Sequence, residues 1–173
     1  MNMIFEDSRQ QSGKHDNINA WLIMHDIQIR RTKLFVGDYT LPTNQSVCVD
    51  TKQGLQEVYS NLIQDHERFR RELIAARDAG IHLVVLVEES GIQTIDDVKR
   101  WHNPRMKRYN RMTQRMQETQ KPPVPSYRLE KIMRTMAEKY GVEWRFCDKA
   151  DTARTICEIL EIEVENIDRE RND

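Results

Sequence analysis

At 173 residues the chain is long enough for one full-sized hydrophobic core and too short for two. Its 27 basic and 28 acidic residues nearly cancel, so overall charge selects no partner, and no apolar run approaches the roughly 18 residues that cross a bilayer. Three cysteines without Cys-x-x-Cys spacing (Cys48, Cys147, Cys157) argue against a zinc ribbon or disulfide scaffold and fit a reducing, cytoplasmic compartment; the acidic start at 1–11 is unlike a signal peptide.

Residues 1–7 read as a short strand that turns polar at Glu6 and Asp7, the end where open α/β sheets place their sites. Ile18, Trp21, Leu22 and His25 recur at helical spacing, with Asp16 or Asn17 as the expected N-cap. Two alternating stretches, 27–38 and 46–52, are expected to form a β-hairpin around a loop containing Pro42 and Asn44. A long amphipathic helix is expected from Leu55 to about Ala79, stopped by Gly80. The β-branched run 81–89 reads as the central strand, buried on both faces and ending in Glu88 and Glu89. A helix over 126–140 closes at Gly141, followed by a strand over 142–148 and a last helix starting near Asp151 and Thr152. The expectation is a single α/β domain over 1–173, with a basic flexible insertion at 99–125 and a frayed acidic tail at 162–173.

That insertion is the one abrupt change of composition. Lys99, Arg100, Arg105, Lys107, Arg108, Arg111, Arg115 and Lys121 stand against the single acid Glu118, and Pro122, Pro123 and Pro125 end the segment. Trp101, His102 and Tyr109 interleave aromatic rings for stacking on bases. A charged solvated helix or loop would show the same composition, and so would a flap that orders on a polyanion.

The candidate chemistry lies earlier. Asp7 ends a strand, Asp38 follows Gly37 in a turn, and Asp50 and Lys52, two apart on a strand, share a face. Three carboxylates brought together repel one another unless a cation sits among them, and oxygen donors suit Mg²⁺ or Mn²⁺ rather than zinc. A lysine beside such a cation orients water or stabilises charge on phosphate, the chemistry of phosphodiester hydrolysis. A turn aspartate and a solvated strand face produce the same spacing, so the residues alone leave both readings open. The five histidines are scattered, and neither GxGxxG nor GxxxxGK[ST] occurs, which argues against a zinc cluster, a Ser/His/Asp triad or a nucleotide cofactor.

The order of these pieces resembles the nuclease domain of the XPF type, within the restriction-endonuclease-like superfamily. Asp7-Ser8-Arg9-Gln10 is similar to that family's Asp-x-Arg-Glu, Val36-Gly37-Asp38-Tyr39 to its strand ending in Gly-Asp-Tyr, and Val49-Asp50-Thr51-Lys52 to its Val-Glu-Arg-Lys. The likeness covers residues 3 to 90. Gln10 and Asp50 stand in place of two family glutamates, Thr51 in place of an arginine, and Gln56 in place of a later aspartate, with Glu57 one position on.

The resemblance implies a restriction-endonuclease-like mixed central sheet flanked by helices and a Mg²⁺- or Mn²⁺-dependent DNA endonuclease, with branched or junction DNA as first substrate. Asp38 and Asp50 would be the principal metal ligands, Asp7 a further or water-mediated one, and Lys52 the group that positions the attacking water. Arg9 would contact the scissile phosphate or brace the acids; as a plain residue it is equally a surface ion pair with Asp7 or Glu6. Arg100, Trp101, Arg105, Lys107, Arg108, Arg111 and Arg115 are the expected nucleic-acid contacts. A homodimer or protein partner is expected to add DNA grip, and no membrane is involved. The alternative is a non-catalytic DNA-binding or interaction module that keeps the fold.

Overall fold

The computed structural model describes residues 2–11 and 13–164. The expected acidic tail at 162–173 therefore lies largely outside the described residues.

β1 (Asn2–Asp7), β2 (Ile27–Thr32), β3 (Tyr39–Thr40), β4 (Val47–Lys52), β5 (His82–Glu88) and β8 (Glu143–Cys147) form one mixed sheet in the order β2-β1-β3-β4-β5-β8. β1 and β2 are parallel, β4, β5 and β8 are parallel, and the two-residue β3 runs antiparallel to both β1 and β4. Five strands thus point one way and β3 alone is reversed. The start of β3 therefore meets the C-terminal ends of β1 and β4, and this brings Asp38 to the edge where Asp7 and Asp50 already stand.

Alternation along the strands feeds two cores. Cys48, Leu83, Val85 and Val87 pack with α2 (Leu55–Tyr59), α3 (His66–Asp78) and α4 (Ser126–Tyr140). Ile4, Tyr39, Val49 and Leu86 pack on the opposite face with α1 (Asp16–Met24) and α5 (Thr152–Ile159). No helix among the described residues is long and apolar enough to cross a membrane.

Four sequence expectations are corrected. The 27–38 stretch is not one arm of a hairpin: the α1 crossover returns β2 parallel to β1 at the sheet edge, and only Tyr39–Thr40 pairs with β4. α1 is preceded by His15 as N-cap rather than Asp16 or Asn17. The run Leu55 to Ala79 is interrupted by a π-helical turn at Ser60–Gln64. There the Asn61 amide donates to Glu57 O at 2.6 Å and the Ser60 hydroxyl to Gln56 O at 3.1 Å, competing for the carbonyls of the preceding turn, while Asp65 N–H reaches back five residues to Ser60 O. β5 is an interior strand with both faces covered, one place from the edge rather than central.

The basic segment takes a definite shape. Short 3₁₀ turns at Ile95–Arg100 and Pro104–Met106 lead into a separate two-stranded ribbon, β6 (Lys107–Asn110) and β7 (Arg115–Glu118). Every residue of 107–118 is exposed save the half-buried Asn110.

Candidate active site

The three aspartates stand abreast on hydrogen-bonded backbone. Asp7 N–H donates to Asp38 O at 2.8 Å, and Asp38 N–H donates to Val49 O at 2.7 Å, next to Asp50. Gly37 makes this approach possible: its φ is +72°, and a Cβ there would lie 3.0 Å from Val49 O. All three aspartates and Lys52 are buried.

Lys52 Nζ lies 2.6 Å from Asp50 Oδ2 and 5.6 Å from the centre of the Phe69 ring of α3. Despite that close ion pair, Asp50 Oδ2 has no donor among the described residues at hydrogen-bonding angles. Burial pushes the Asp50 carboxyl up to about 7 against the pull of Lys52, with Asp38 and Glu72 pushing the same way as burial. For Lys52, burial alone would lower the ammonium, yet the carboxylates of Asp50, Asp38 and Glu57 hold it well above its ordinary value. The lysine remains a cation, and the Asp50 carboxylate is the strained member of the pair.

Asp38 is held from three sides. Its Oδ2 accepts from the Thr51 N–H at 2.9 Å and from the Thr51 hydroxyl at 2.5 Å, and its Oδ1 accepts from the Gln10 amide. Behind it, His15 joins Thr51 to Glu6: Nε2 is 3.1 Å from Thr51 Oγ1 and Nδ1 is 3.2 Å from Glu6 Oε1. Asn19 and Arg31 complete the shell of Glu6. Asp7 accepts from Arg9 Nε at 2.9 Å and from the Leu34 N–H at 3.2 Å. Arg9 also donates to Leu34 O, while its side chain remains about half exposed.

Sequence reasoning named Asp7, Arg9, Asp38, Asp50 and Lys52, and the structure gathers all five at one sheet edge. It gave no site role to Glu6, His15 or Glu72. Glu72 lies on α3 among the charged residues of that helix, yet its Oε1 accepts from Gly37 N–H at 3.2 Å. His15 carries no spacing signal, since its partners are 9 and 36 residues away in sequence. Glu57 accepts from Gln53 N–H at 2.7 Å and lies 3.6 Å from Lys14, in the role of a first-turn glutamate.

A divalent cation fits this donor set. Asp38 and Asp50 offer hard carboxylate oxygens, and the rise at Asp50, which persists beside the Lys52 ammonium, is the penalty a second cation would relieve. Among the described residues no three His, Cys, Asp or Glu side chains already close around a common point.

The expected nucleic-acid contacts divide. Arg100 pairs with Asp97. Trp101 is half-buried against the core beneath α4, and its carbonyl accepts from the Ser126 hydroxyl. Arg105, Lys107, Arg108, Arg111 and Arg115 stand on or beside the ribbon and make no ion pair with an acid among the described residues.

Comparison with solved structures finds XPF from Aeropyrum pernix at a TM-score of 0.61 and 15% identity, covering 92% of this chain and 66% of that one. The same protein in complex with DNA matches at 0.60 and 16%, covering 94% of this chain and 64% of that one. The chain thus spans slightly less than two thirds of these structures, and at such identity the likeness establishes the fold, the restriction-endonuclease-like mixed sheet expected from sequence. No curated protein sequence matches. A profile of the ERCC4 domain matches residues 7–159, which takes in the three aspartates and Lys52 and runs to the end of α5, and the chain belongs to the ERCC4 domain family as an XPF-type nuclease domain.

Proposed function

We propose that the protein is a Mg²⁺- or Mn²⁺-dependent endonuclease that hydrolyses phosphodiester bonds in DNA, with branched or junction DNA as its substrate and an intracellular place of work. The observation that carries this reading is the buried Asp50–Lys52 pair beside Asp38, at the sheet edge where Asp7 also stands. A protein seldom buries two acids and a lysine at a sheet edge for stability, because desolvation offsets most of what the pair contributes.

Asp38 and Asp50 would hold the cation, with Asp7 alongside. When bound, a divalent ion supplies Lewis-acid stabilisation of the charge that builds on the phosphate. Lys52, kept protonated and aimed by Asp50, holds the attacking water by hydrogen bond and offsets negative charge at the reacting phosphorus. Thr51 and Gln10 fix the Asp38 carboxylate, and Glu6 and His15 fix Thr51 from behind. Arg9, half exposed and tethered to Asp7, would meet a phosphate oxygen. The cations of the ribbon grip the polyanion.

The test is cleavage of labelled flap, fork, duplex and single-stranded DNA in Mg²⁺ or Mn²⁺, comparing wild type with Asp50→Ala and with chelator. Cutting that disappears in both controls supports the reading. One observation favours a second reading, a DNA-binding module without activity: the amide of Gln10, where the family has an acid, already occupies Asp38 Oδ1. Tight binding with no cutting in either metal would select it.

A further inference from the structure

The β6–β7 ribbon has two faces of different chemistry. Its register pairs Tyr109 with Met116 and Lys107 with Glu118 on one face, and Arg108 with Gln117 and Asn110 with Arg115 on the other. Tyr109 and Met116 are 58% and 59% exposed, and Met112 at the tip is 95% exposed. The turn is held by its own side chains. Asn110 Oδ1 accepts from the N–H groups of Met112 and Thr113, Asn110 Nδ2 donates to Gln117 Oε1, and Gln117 Nε2 donates to Thr113 Oγ1. The root is tied down as well: Asn103, itself buried, caps Arg105 N–H, Thr119 N–H closes onto Met106 O, and Val124 N–H donates to the Tyr59 hydroxyl of α2.

A projection tied by its own hydrogen bonds that leaves a tyrosine and two methionines in water offers a surface for something flat and apolar. The surrounding cations restrict what that is, since Arg105, Lys107, Arg108, Arg111, Arg115 and Lys121 face the single acid Glu118. Nucleobases present flat apolar faces next to dense negative charge. In a continuous duplex those faces are stacked away, and only an end or a branch point exposes them.

We propose that the ribbon is a wedge that recognises the branch point of DNA: the Tyr109–Met116 face stacks on the last base pair of the duplex, and Arg108 and Arg115 on the opposite face hold the phosphates of the diverging strand. Met112 leads at the fork between the two strands. This deepens the nuclease reading above, naming the element that would give that site its preference for junctions, and rests on the chain being a DNA-binding member of its family.

The experiment measures binding of the full chain in chelator, so that nothing is cut, to a fork carrying 2-aminopurine at the branch-point base pair and to a matched duplex. Wild type is expected to prefer the fork and to change the 2-aminopurine signal. Tyr109→Ala with Met116→Ala is expected to lose about tenfold or more on the fork, the scale of one lost base–aromatic stack, and to leave duplex affinity within about twofold. Tyr109→Phe keeps the ring and keeps the preference, which separates lost stacking from a collapsed ribbon. Arg108→Ala with Arg115→Ala is expected to weaken both substrates and to reduce the slope of log affinity against log salt by about 2. The proposal is overturned if the double alanine variant at Tyr109 and Met116 still prefers the fork, if it loses fork and duplex equally, or if its only effect is to turn a dimer into a monomer. Fork preference that depends on Tyr109 and Met116 without any cutting in metal defeats the nuclease reading alone. Cutting by a protein indifferent to these two residues defeats the wedge alone.

Discussion

Lys52 Nζ and Asp50 Oδ2 are 2.6 Å apart, in side chains 8% and 6% exposed, yet the two partners differ in what else supports them. Lys52 also feels Asp38 and Glu57, whereas Asp50 has Asp38 and Glu72 as neighbours of its own sign. Removing one partner should therefore be asymmetric. Lys52→Met leaves a buried carboxylate among carboxylates and is expected to destabilise the fold by about 3–5 kcal/mol at pH 8. Asp50→Asn leaves a lysine that still has acids around it and is expected to fold at least as well as wild type. Both should lose cutting by roughly a hundredfold or more, the scale of a missing charge-stabilising group. Urea unfolding at pH 8 in chelator measures the difference, and equal losses would mean that Asp38 and Glu57 do nothing for Lys52.

The same pair sets a pH dependence. The Asp50 carboxyl titrates near 7 in the folded protein, against an ordinary value of 3.8. A raised carboxyl means that the folded state binds more protons, so Asp50 opposes folding increasingly as pH climbs from about 4 to about 7, and the penalty is constant above that. Asp50→Asn has no such group. The stability difference between variant and wild type in chelator is expected to be near zero at pH 4, to grow in the variant's favour toward pH 7 by a few kcal/mol at most, and then to level off. Saturating Mn²⁺ should flatten the wild-type curve, because a bound cation keeps the carboxylate charged at no such penalty. Parallel curves from pH 4 to 8 would rule this out.

Thr51 occupies a place where the resemblance leads one to expect arginine, but Thr51 is 2% exposed and wedged between Asp38 and His15. An arginine has no room there. Thr51→Arg is expected to cost about 3 kcal/mol through overpacking and a forced buried charge, and not to raise activity. Thr51→Val keeps the shape while removing the hydroxyl that bonds Asp38 and faces His15; it should cost about 1–3 kcal/mol and weaken Mn²⁺ binding measured by calorimetry. Retained metal affinity in Thr51→Val would show that the backbone N–H alone positions Asp38.

The fold was legible in proportion to how local its causes are. Strands such as 82–88 and helices such as 126–140 are written in short-range periodicity, and both formed within a residue or two of expectation. The 27–38 stretch failed because whether a strand pairs with its successor or its predecessor depends on where the intervening helix packs, which alternation does not encode. The π turn escaped because it follows from Asn61 and Ser60 competing for particular carbonyls. At the site, the aspartates and Lys52 were readable as ordered pieces. Glu6, His15 and Glu72 act only through the tertiary approach of β1, the start of α1 and α3 to Asp38 and its turn, which no local spacing encodes.

Gln10 offers the last prediction. Its amide donates to Asp38 Oδ1, so it fills with a neutral donor the position where the resembling family carries glutamate. Gln10→Glu replaces that hydrogen bond by a third negative charge beside Asp38 and Asp50. Without metal, like-charge repulsion is expected to lower stability by about 1–2 kcal/mol at pH 8, with the loss relieved at acid pH as the carboxyls protonate. With metal the sign reverses, because an added carboxylate is an added oxygen donor: Mn²⁺ affinity should rise about tenfold, and the melting temperature should gain more from Mn²⁺ than that of wild type does. The measurement is a pair of thermal scans, in chelator and in Mn²⁺, with calorimetric titration of the ion. A variant less stable under both conditions, with unchanged affinity, would show that Gln10 faces Asp38 only to brace it and that the cation, if bound, lies on the Asp50 side alone.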